Sequence, residues 1–172
     1  SNIKALKIVI AKTSEGGDEA GNDVSCGIAK VLLAYNLAVL TDFFGDVPFS
    51  ESGIMNPDGS PKYMQPAIEK QSVLYPQIQS LLDEAIVLLQ GEDEAASGPL
   101  GDQDLIYGGD QALWTKAAYG LKARYLMRTL KVTTDSEGDL NKILDYISKS
   151  FENPDEEFSF NIYDGVSNVN PL

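Results

Sequence analysis

The sequence predicts an all-α fold of antiparallel helix pairs joined by long loops, with little or no sheet. The first observation is a nearly unbroken apolar run over residues 28–40, interrupted only by Lys30 and Asn36. A helix that is apolar on every side has to be covered on every side, so this run predicts a central helix. The second observation is helical spacing of apolar residues in two further segments, 69–90 and 111–131. A membrane span is the alternative for 28–40, but a span needs ~20 apolar residues and this run is shorter.

Length and composition limit the possible functions. The chain has 172 residues, which is enough for one domain with a hydrophobic core. Its net charge of −13 argues against a nucleic-acid partner, because phosphate binding needs clustered Lys and Arg. The absence of histidine removes the usual general base and the commonest metal ligand. The single cysteine, Cys26, excludes an internal disulfide and is interpreted as a small buried residue rather than a reactive thiol.

The elements before and after the central helix follow from spacing and from breaker residues. Residues 3–12 are predicted as a helix, although their Ile-Val-Ile run leaves a strand open. Residues 14–23 are glycine-rich and acidic and predict a loop, so the central helix is expected to begin near Val24. Residues 50–66 contain three prolines and predict a long surface connection. Within it, Asn56, Asp58 and Ser60 resemble a calcium loop only faintly, and a surface turn is predicted because the ligand spacing is not met.

Three later helices are predicted. The first covers 69–90, where Pro76 marks a start or a kink and Gly91 a stop. Asp110 is predicted to be the N-cap of the second, over 111–131, because a carboxylate there accepts hydrogen bonds from free backbone N–H groups. The third covers 139–151, with a predicted core face of Leu140, Ile143, Leu144 and Ile147. Residues 152–172 have no helical period, and Phe158, Phe160, Ile162 and Tyr163 indicate a short extended segment there.

Two arginines and two aspartates are predicted to be structural. Arg124 and Arg128 lie beside the apolar stripe of their helix, so we expect them to be partly buried and to need acidic partners. Asp42 and Asp46 flank a turn after the central helix and could supply those carboxylates. We therefore predict that at least one of these aspartates pairs with one of these arginines, and we prefer this interpretation to a catalytic carboxylate pair.

Four segments in the right order resemble the SusD/RagB family of bacterial outer-membrane nutrient-binding lipoproteins. The most specific is the stretch over 41–51, TDFFGDVPFSE, which follows the long helix. It is followed by PAIEKQ with Tyr75, by LLDEA over 81–85, and by YGGD over 107–110 with Trp114, Lys116, Leu121, Arg124 and Arg128. Departures from the family pattern are Ile68 for an aromatic, Glu69 for aspartate, and Ala118 or Tyr119 for asparagine.

The resemblance implies a fold, a location and partners. It implies a tetratricopeptide-like helical domain over 1–172, best matched over 24–131, that is part of a longer SusD-like protein. It also implies a lipoprotein of the cell surface that binds glycans or other nutrients and works with a TonB-dependent, SusC-like transporter. Membrane contact is then expected only through a lipid anchor outside this sequence. Neither catalysis, a cofactor nor a metal is expected, and Cys26 is not the lipid-bearing cysteine because polar residues precede it.

The aromatic residues divide into core and ligand candidates. Phe43, Phe44 and Trp114 are interpreted as core residues. Tyr63 and Tyr107 lie in predicted loops and are weak candidates for stacking on a sugar ring. Two alternatives stay open: a helical-repeat scaffold for a protein partner, and a glycosidase, which would need two carboxylates ~5–10 Å apart in one pocket.

Overall fold

The computed structural model describes residues 2–160, in which five α-helices are connected by loops. The helices are α1 (Asn2–Thr13), α2 (Asp23–Phe44), α3 (Gln71–Leu88), α4 (Gln111–Thr129) and α5 (Ser136–Ser148). Strands β1 (Val47–Pro48) and β2 (Ile68–Glu69) form one two-stranded antiparallel ladder in which Val47 is opposite Glu69. Short 3-10 turns occupy Gly101–Gln103 and Pro154–Glu156. The predicted all-α class is confirmed, and 3–12 is helical rather than extended.

Helix α2 is the core helix of the bundle and contacts α1, α3 and α4. Val31, Ala34, Leu37 and Ala38 have no exposed surface, and Cys26 is buried as predicted. By length and composition alone α2 could cross a membrane, but 67% of its 18-residue apolar window is buried inside the fold. One narrow strip of α2, at Tyr35 and Val39, is partly open to solvent, so the helix is covered on most sides rather than on all.

Successive helices are antiparallel, because the end of each lies near the start of its neighbour. A Cβ atom added to Gly27, near the start of α2, would lie 2.9 Å from the Leu89 side chain that follows α3. At the other end, the Asp46 side chain accepts a hydrogen bond of 2.9 Å from the backbone N–H of Gln71 at the start of α3. Glycine at position 27 thus permits the close approach of two helices, and the ladder of β1 with β2 turns the chain between them.

Helix α4 begins at the predicted cap and is preceded by a loop that one carboxylate organises. Asp110 accepts a hydrogen bond of 3.0 Å from the N–H of Leu113. In the loop, Asp104 accepts hydrogen bonds from the Trp114 indole at 2.6 Å and from the backbone of Gly109 at 2.9 Å and Ile106 at 3.0 Å. Trp114 is fully buried, as predicted.

Helix α5 corrects the sequence analysis. It begins at Ser136, with Asp135 as its N-cap, and of its predicted core face only Ile143 is buried. Leu140, Leu144 and Ile147 are exposed, because α5 stands at the end of the described bundle and packs mainly on α4 among the helices. The amphipathic pattern is real, but one neighbour covers only a fraction of the face.

Phe43 and Phe44 are also corrected, since they are 79% and 73% exposed. Thr41 is the last buried residue of α2, and at 100° per residue Phe43 points to the far side of the helix. Phe49, which follows β1, packs into the core instead. Of the extended segment predicted at Phe158 to Tyr163, residues 157–160 have no regular structure, and Ile162 and Tyr163 lie outside the described residues.

Candidate functional site

An ion pair joins the last turn of α2 to the last turn of α4. The Arg128 guanidinium lies 2.5 Å from the Asp42 carboxylate, and the Tyr75 hydroxyl of α3 donates a 2.5 Å hydrogen bond to the same carboxylate. The pairing expected between one of these arginines and one of these aspartates is therefore present. Arg128 is less buried than expected, because 40% of its side chain stays exposed.

A groove opens on one side of this ion pair and is named here the α3–α4 groove. It has a volume of about 950 Å³ and runs between the first half of α3 and the last turns of α4. Its lining combines hydroxyl, amide and charged groups with apolar side chains, and includes Gln71, Ser72, Tyr75, Gln79, Arg128 and Lys131 beside Pro76, Leu126, Met127 and Val132. Such a mixture is suited to a ligand that has both hydrogen-bonding groups and apolar faces.

A smaller cleft opens on the other side and is named the α2–α4 cleft. It has a volume of about 280 Å³ and shares Asp42, Tyr125 and Arg128 with the groove. Its remaining lining comes from Tyr35, Val39, Phe43 and Arg124. The two openings are therefore separated by the ion pair and are adjacent along the surface of α4.

The ionisation of the tyrosines at this junction follows from burial and from the neighbouring charges. Burial, together with the hydrogen bond to Asp42, raises the pKa of Tyr75 to about 12. Burial also raises the pKa of Tyr125, although the positive charge of Arg124 acts in the opposite direction. Both hydroxyl groups are protonated at neutral pH, so Tyr75 is a hydrogen-bond donor and the junction has no tyrosinate charge.

The other predicted structural residues do not join the ion pair. Asp46 caps α3 through the N–H of Gln71, as described above. Arg124 is exposed in the α2–α4 cleft, and its side chain makes no ion pair or hydrogen bond within residues 2–160. Asp42 and Asp46 thus have separate structural contacts rather than a shared pocket.

The two tyrosines proposed as ligand candidates lie outside both openings. Tyr63 is in the loop before β2, is 37% exposed, and has the Lys62 ammonium 5.5 Å from its ring centre. The Tyr107 hydroxyl donates a 2.8 Å hydrogen bond to the carbonyl of Glu156, and its ring packs edge-on against Trp114. Burial, followed by the charge of Asp104, raises the pKa of Tyr107. Tyr107 therefore makes core contacts but also lines a separate cleft of about 670 Å³, and Tyr63 is partly exposed, so both stay candidates for contact with a ligand.

Metal binding has no support in the described part of the chain. Among residues 2–160, no group of three or more cysteine, aspartate or glutamate side chains is arranged to hold a metal ion. The faint calcium pattern at 56–60 is a surface turn in which Asp58 accepts hydrogen bonds from the backbone and the hydroxyl of Ser60, as predicted.

Comparison with protein families identifies the chain. A family model described as SusD-like, "Starch-binding associating with outer membrane", matches residues 1–172. The chain belongs to the SusD-like family. Comparison with curated proteins finds no match.

Solved structures agree with this SusD-like assignment. A SusD/RagB family protein from Bacteroides thetaiotaomicron matches 98% of the chain with 44% identity and a TM-score of 0.88, and 33% of that protein is covered. A chitin-binding protein matches 91% of the chain with 27% identity and a TM-score of 0.70, and 31% of it is covered. A chitin-binding SusD homologue from Flavobacterium johnsoniae, at 21% identity and a TM-score of 0.70, has the same fold over 91% of the chain and 32% of its own length.

The SusD-like chain spans about a third of the length of these solved structures. Sequence reasoning identified the residues of the ion pair but missed the groove and the cleft. The groove depends on how far apart α3 and α4 lie, which no local pattern encodes. Tyr75 was available as a signal, because it is part of the segment that resembles the family opening of α3.

Proposed function

We propose that this SusD-like chain is the helical part of a glycan-binding protein of the bacterial cell surface. The supporting observation is the match of all 172 residues to a family described as starch-binding and associated with the outer membrane. The chitin-binding description of a relative at 27% identity also supports a glycan ligand. A lipid anchor outside this sequence and a TonB-dependent, SusC-like transporter as partner belong to the same proposal.

The α3–α4 groove is the surface on which we place the glycan. A volume of about 950 Å³ is large enough for several sugar units, since ligand pockets of ~300–1,000 Å³ hold drug-sized molecules. Hydroxyl, amide and ammonium groups of Ser72, Tyr75, Gln79 and Lys131 offer donors and acceptors to sugar hydroxyls. The apolar residues between them match the C–H faces of the rings. Tyr63 is kept as a second contact outside the groove.

The proposal describes binding without turnover. A glycosidase needs one carboxyl group that stays protonated as a general acid and a second carboxylate in the same pocket. Asp42 is the carboxylate that lines the groove, and it is occupied by Arg128 and Tyr75. The groove is therefore suited to hold a sugar chain rather than to cleave it.

Two serine substitutions on α3 test where the glycan lies. Ser72 is exposed and lines the groove, whereas Ser80 is exposed on the same helix outside it. Ser72→Trp should fill the groove and reduce binding of maltooligosaccharides or chitooligosaccharides at least roughly tenfold, which corresponds to about 1.4 kcal/mol. Ser80→Trp, which adds the same side chain elsewhere, should leave the affinity unchanged. Isothermal titration with both sugars measures the difference.

Three results would count against the proposal. If Ser72→Trp and Ser80→Trp changed the affinity equally, the glycan would not lie in the groove. If shortened sugars were released, the chain would hydrolyse its ligand rather than only bind it. The third concerns the partner. A tagged form of the longer protein should co-purify with a TonB-dependent transporter from outer membranes, and its failure to do so would count against that part of the proposal. If the chain bound the transporter but none of the sugars, the helical-scaffold interpretation would take its place.

A further inference from the structure

The two arginines of the chain stand together on one exposed face. Arg124 and Arg128 are the only arginines among 172 residues, and they lie one turn apart on α4. The chain as a whole has a net charge of −13, so its surface field repels anions. A cationic cleft in such a protein is a local departure from the surrounding charge.

The two guanidinium groups are in different states. Arg128 is held by Asp42, whose second oxygen accepts the hydrogen bond from Tyr75. Arg124 lines the same α2–α4 cleft and has no ion-pair or hydrogen-bond partner in the described part of the chain. Two guanidinium groups and one carboxylate leave one net positive charge in the cleft. That balance matches a ligand with a single negative charge better than a dianion such as phosphate.

Aromatic side chains complete the cleft. Phe43 is 79% exposed and Tyr35 is 36% exposed, and the buried Tyr125 also borders the cleft. A ring that is left in water offers a flat apolar face on which the C–H side of a sugar can lie. At about 280 Å³ the cleft is near the lower end of ligand pockets, so its size fits a single sugar unit rather than a chain.

We propose that the α2–α4 cleft binds one carboxylate-bearing sugar unit, a hexuronate, through the guanidinium of Arg124, with the unit resting on Phe43. The planar fork of an arginine pairs with both oxygens of a carboxylate, which a neutral sugar cannot reproduce. This inference rests on the proposed glycan-binding function and names an acidic glycan as its ligand class. Because the cleft adjoins the α3–α4 groove at Arg128, a glycan chain in the groove would place one acidic unit in the cleft.

The test uses the full chain and tri-galacturonate as the probe, with its methyl ester as the matched neutral form. Isothermal titration at physiological ionic strength should give tighter binding of the acid than of the ester. Arg124→Gln should weaken binding of the acid roughly tenfold or more, because it removes charge-assisted hydrogen bonds. Arg124→Lys, which keeps the charge but not the fork, should recover only part of that loss.

A control variant distinguishes the loss of this site from the loss of one positive charge elsewhere on the chain. The Lys70 side chain is exposed, makes no hydrogen bond or ion pair within the described residues, and lines neither opening. Lys70→Gln removes the same charge as Arg124→Gln and should change the affinity less than about twofold. Arg124 is exposed on a helix surface, so its substitution is not expected to affect folding.

The remaining results would contradict the acidic-sugar inference, and they also show whether the proposed function stands. Equal binding of the acid and the ester, or an unchanged affinity in Arg124→Gln, overturns the acidic-sugar inference. If maltotriose or chitotriose binds and tri-galacturonate does not, this inference falls and the proposed function stands. If none of the sugars binds, both fall.

Discussion

Replacing Asp104 by alanine should remove the contact that fixes the loop before α4. The carboxylate accepts hydrogen bonds from the Trp114 indole at 2.6 Å, from the Gly109 backbone at 2.9 Å and from the Ile106 backbone at 3.0 Å. Trp114 has no exposed surface, and Asp104 is the hydrogen-bond partner of its indole N–H group among the described residues. Leaving a buried donor without a partner costs about 1–3 kcal/mol.

Loss of the acceptor for the two backbone N–H groups should cost less free energy. They lie in a loop, where water can replace the carboxylate, and we assign them together about 1 kcal/mol. The expected loss in the free energy of unfolding for Asp104→Ala is therefore roughly 3 kcal/mol. Asp104→Asn keeps the shape of the side chain and an oxygen acceptor but loses the charge, so its loss should be smaller.

Urea denaturation followed by far-UV circular dichroism measures this loss. Trp114 is the single tryptophan of the chain, so its fluorescence reports on the same contact without interference. Asp102 is exposed in the preceding 3-10 turn, and Asp102→Ala removes an equal charge as a control, with an expected effect within about 0.5 kcal/mol. If the two alanine variants unfolded at the same urea concentration, the role given to Asp104 would be wrong.

Three further predictions concern charge and packing. The N–H of residue 152 and an ion pair lower the pKa of Glu156 from 4.5 to about 2. The contribution of Glu156 to stability is present above pH 4.5 and is lost as the pH falls toward 2. Over this range, the urea concentration at the midpoint of unfolding should therefore depend less on pH in Glu156→Gln than in the unsubstituted chain. Asp42→Asn should lower the pKa of Tyr75 from about 12 toward 10 without reaching it, since burial is the larger cause, and an NMR titration of labelled tyrosine follows this change. Gly27→Ala should destabilise by about 1 kcal/mol net, because the clash with Leu89 outweighs the gain in helix propensity. Leu89→Ala in the same chain should relieve part of that clash, and strictly additive losses would contradict it.

Several features of the fold could be predicted because they are local. The apolar run at 28–40 identified α2, and the cap at Asp110 placed the start of α4 to the residue. The spacing of apolar residues shows which side of a helix is apolar, and an N-cap residue bonds to N–H groups within one turn of itself. The pairing of an α4 arginine with an aspartate after the apolar run was also within reach, because a guanidinium beside an apolar stripe needs an acidic partner.

Other features depended on the tertiary structure. Phe43 and Phe44 look like core residues in the sequence, yet both are exposed, because Thr41 is the last buried residue of α2. Leu144 lies on a correct amphipathic stripe but is exposed, since a stripe says nothing about how much of it a neighbour covers. Arg124 and Arg128 both lie beside the apolar stripe of α4, and only the position of Asp42 across the bundle made one of them a paired residue.

Sequence alone was enough to locate the helices, the cap at Asp110 and the family resemblance, since these depend on residues within a few turns of one another. Which helix faces are open, and where the groove and the cleft lie, could be read only from the packed bundle. These depend on the distance and angle between helices that are remote along the chain. That spacing is set by the sum of many side-chain contacts, and no single segment records it.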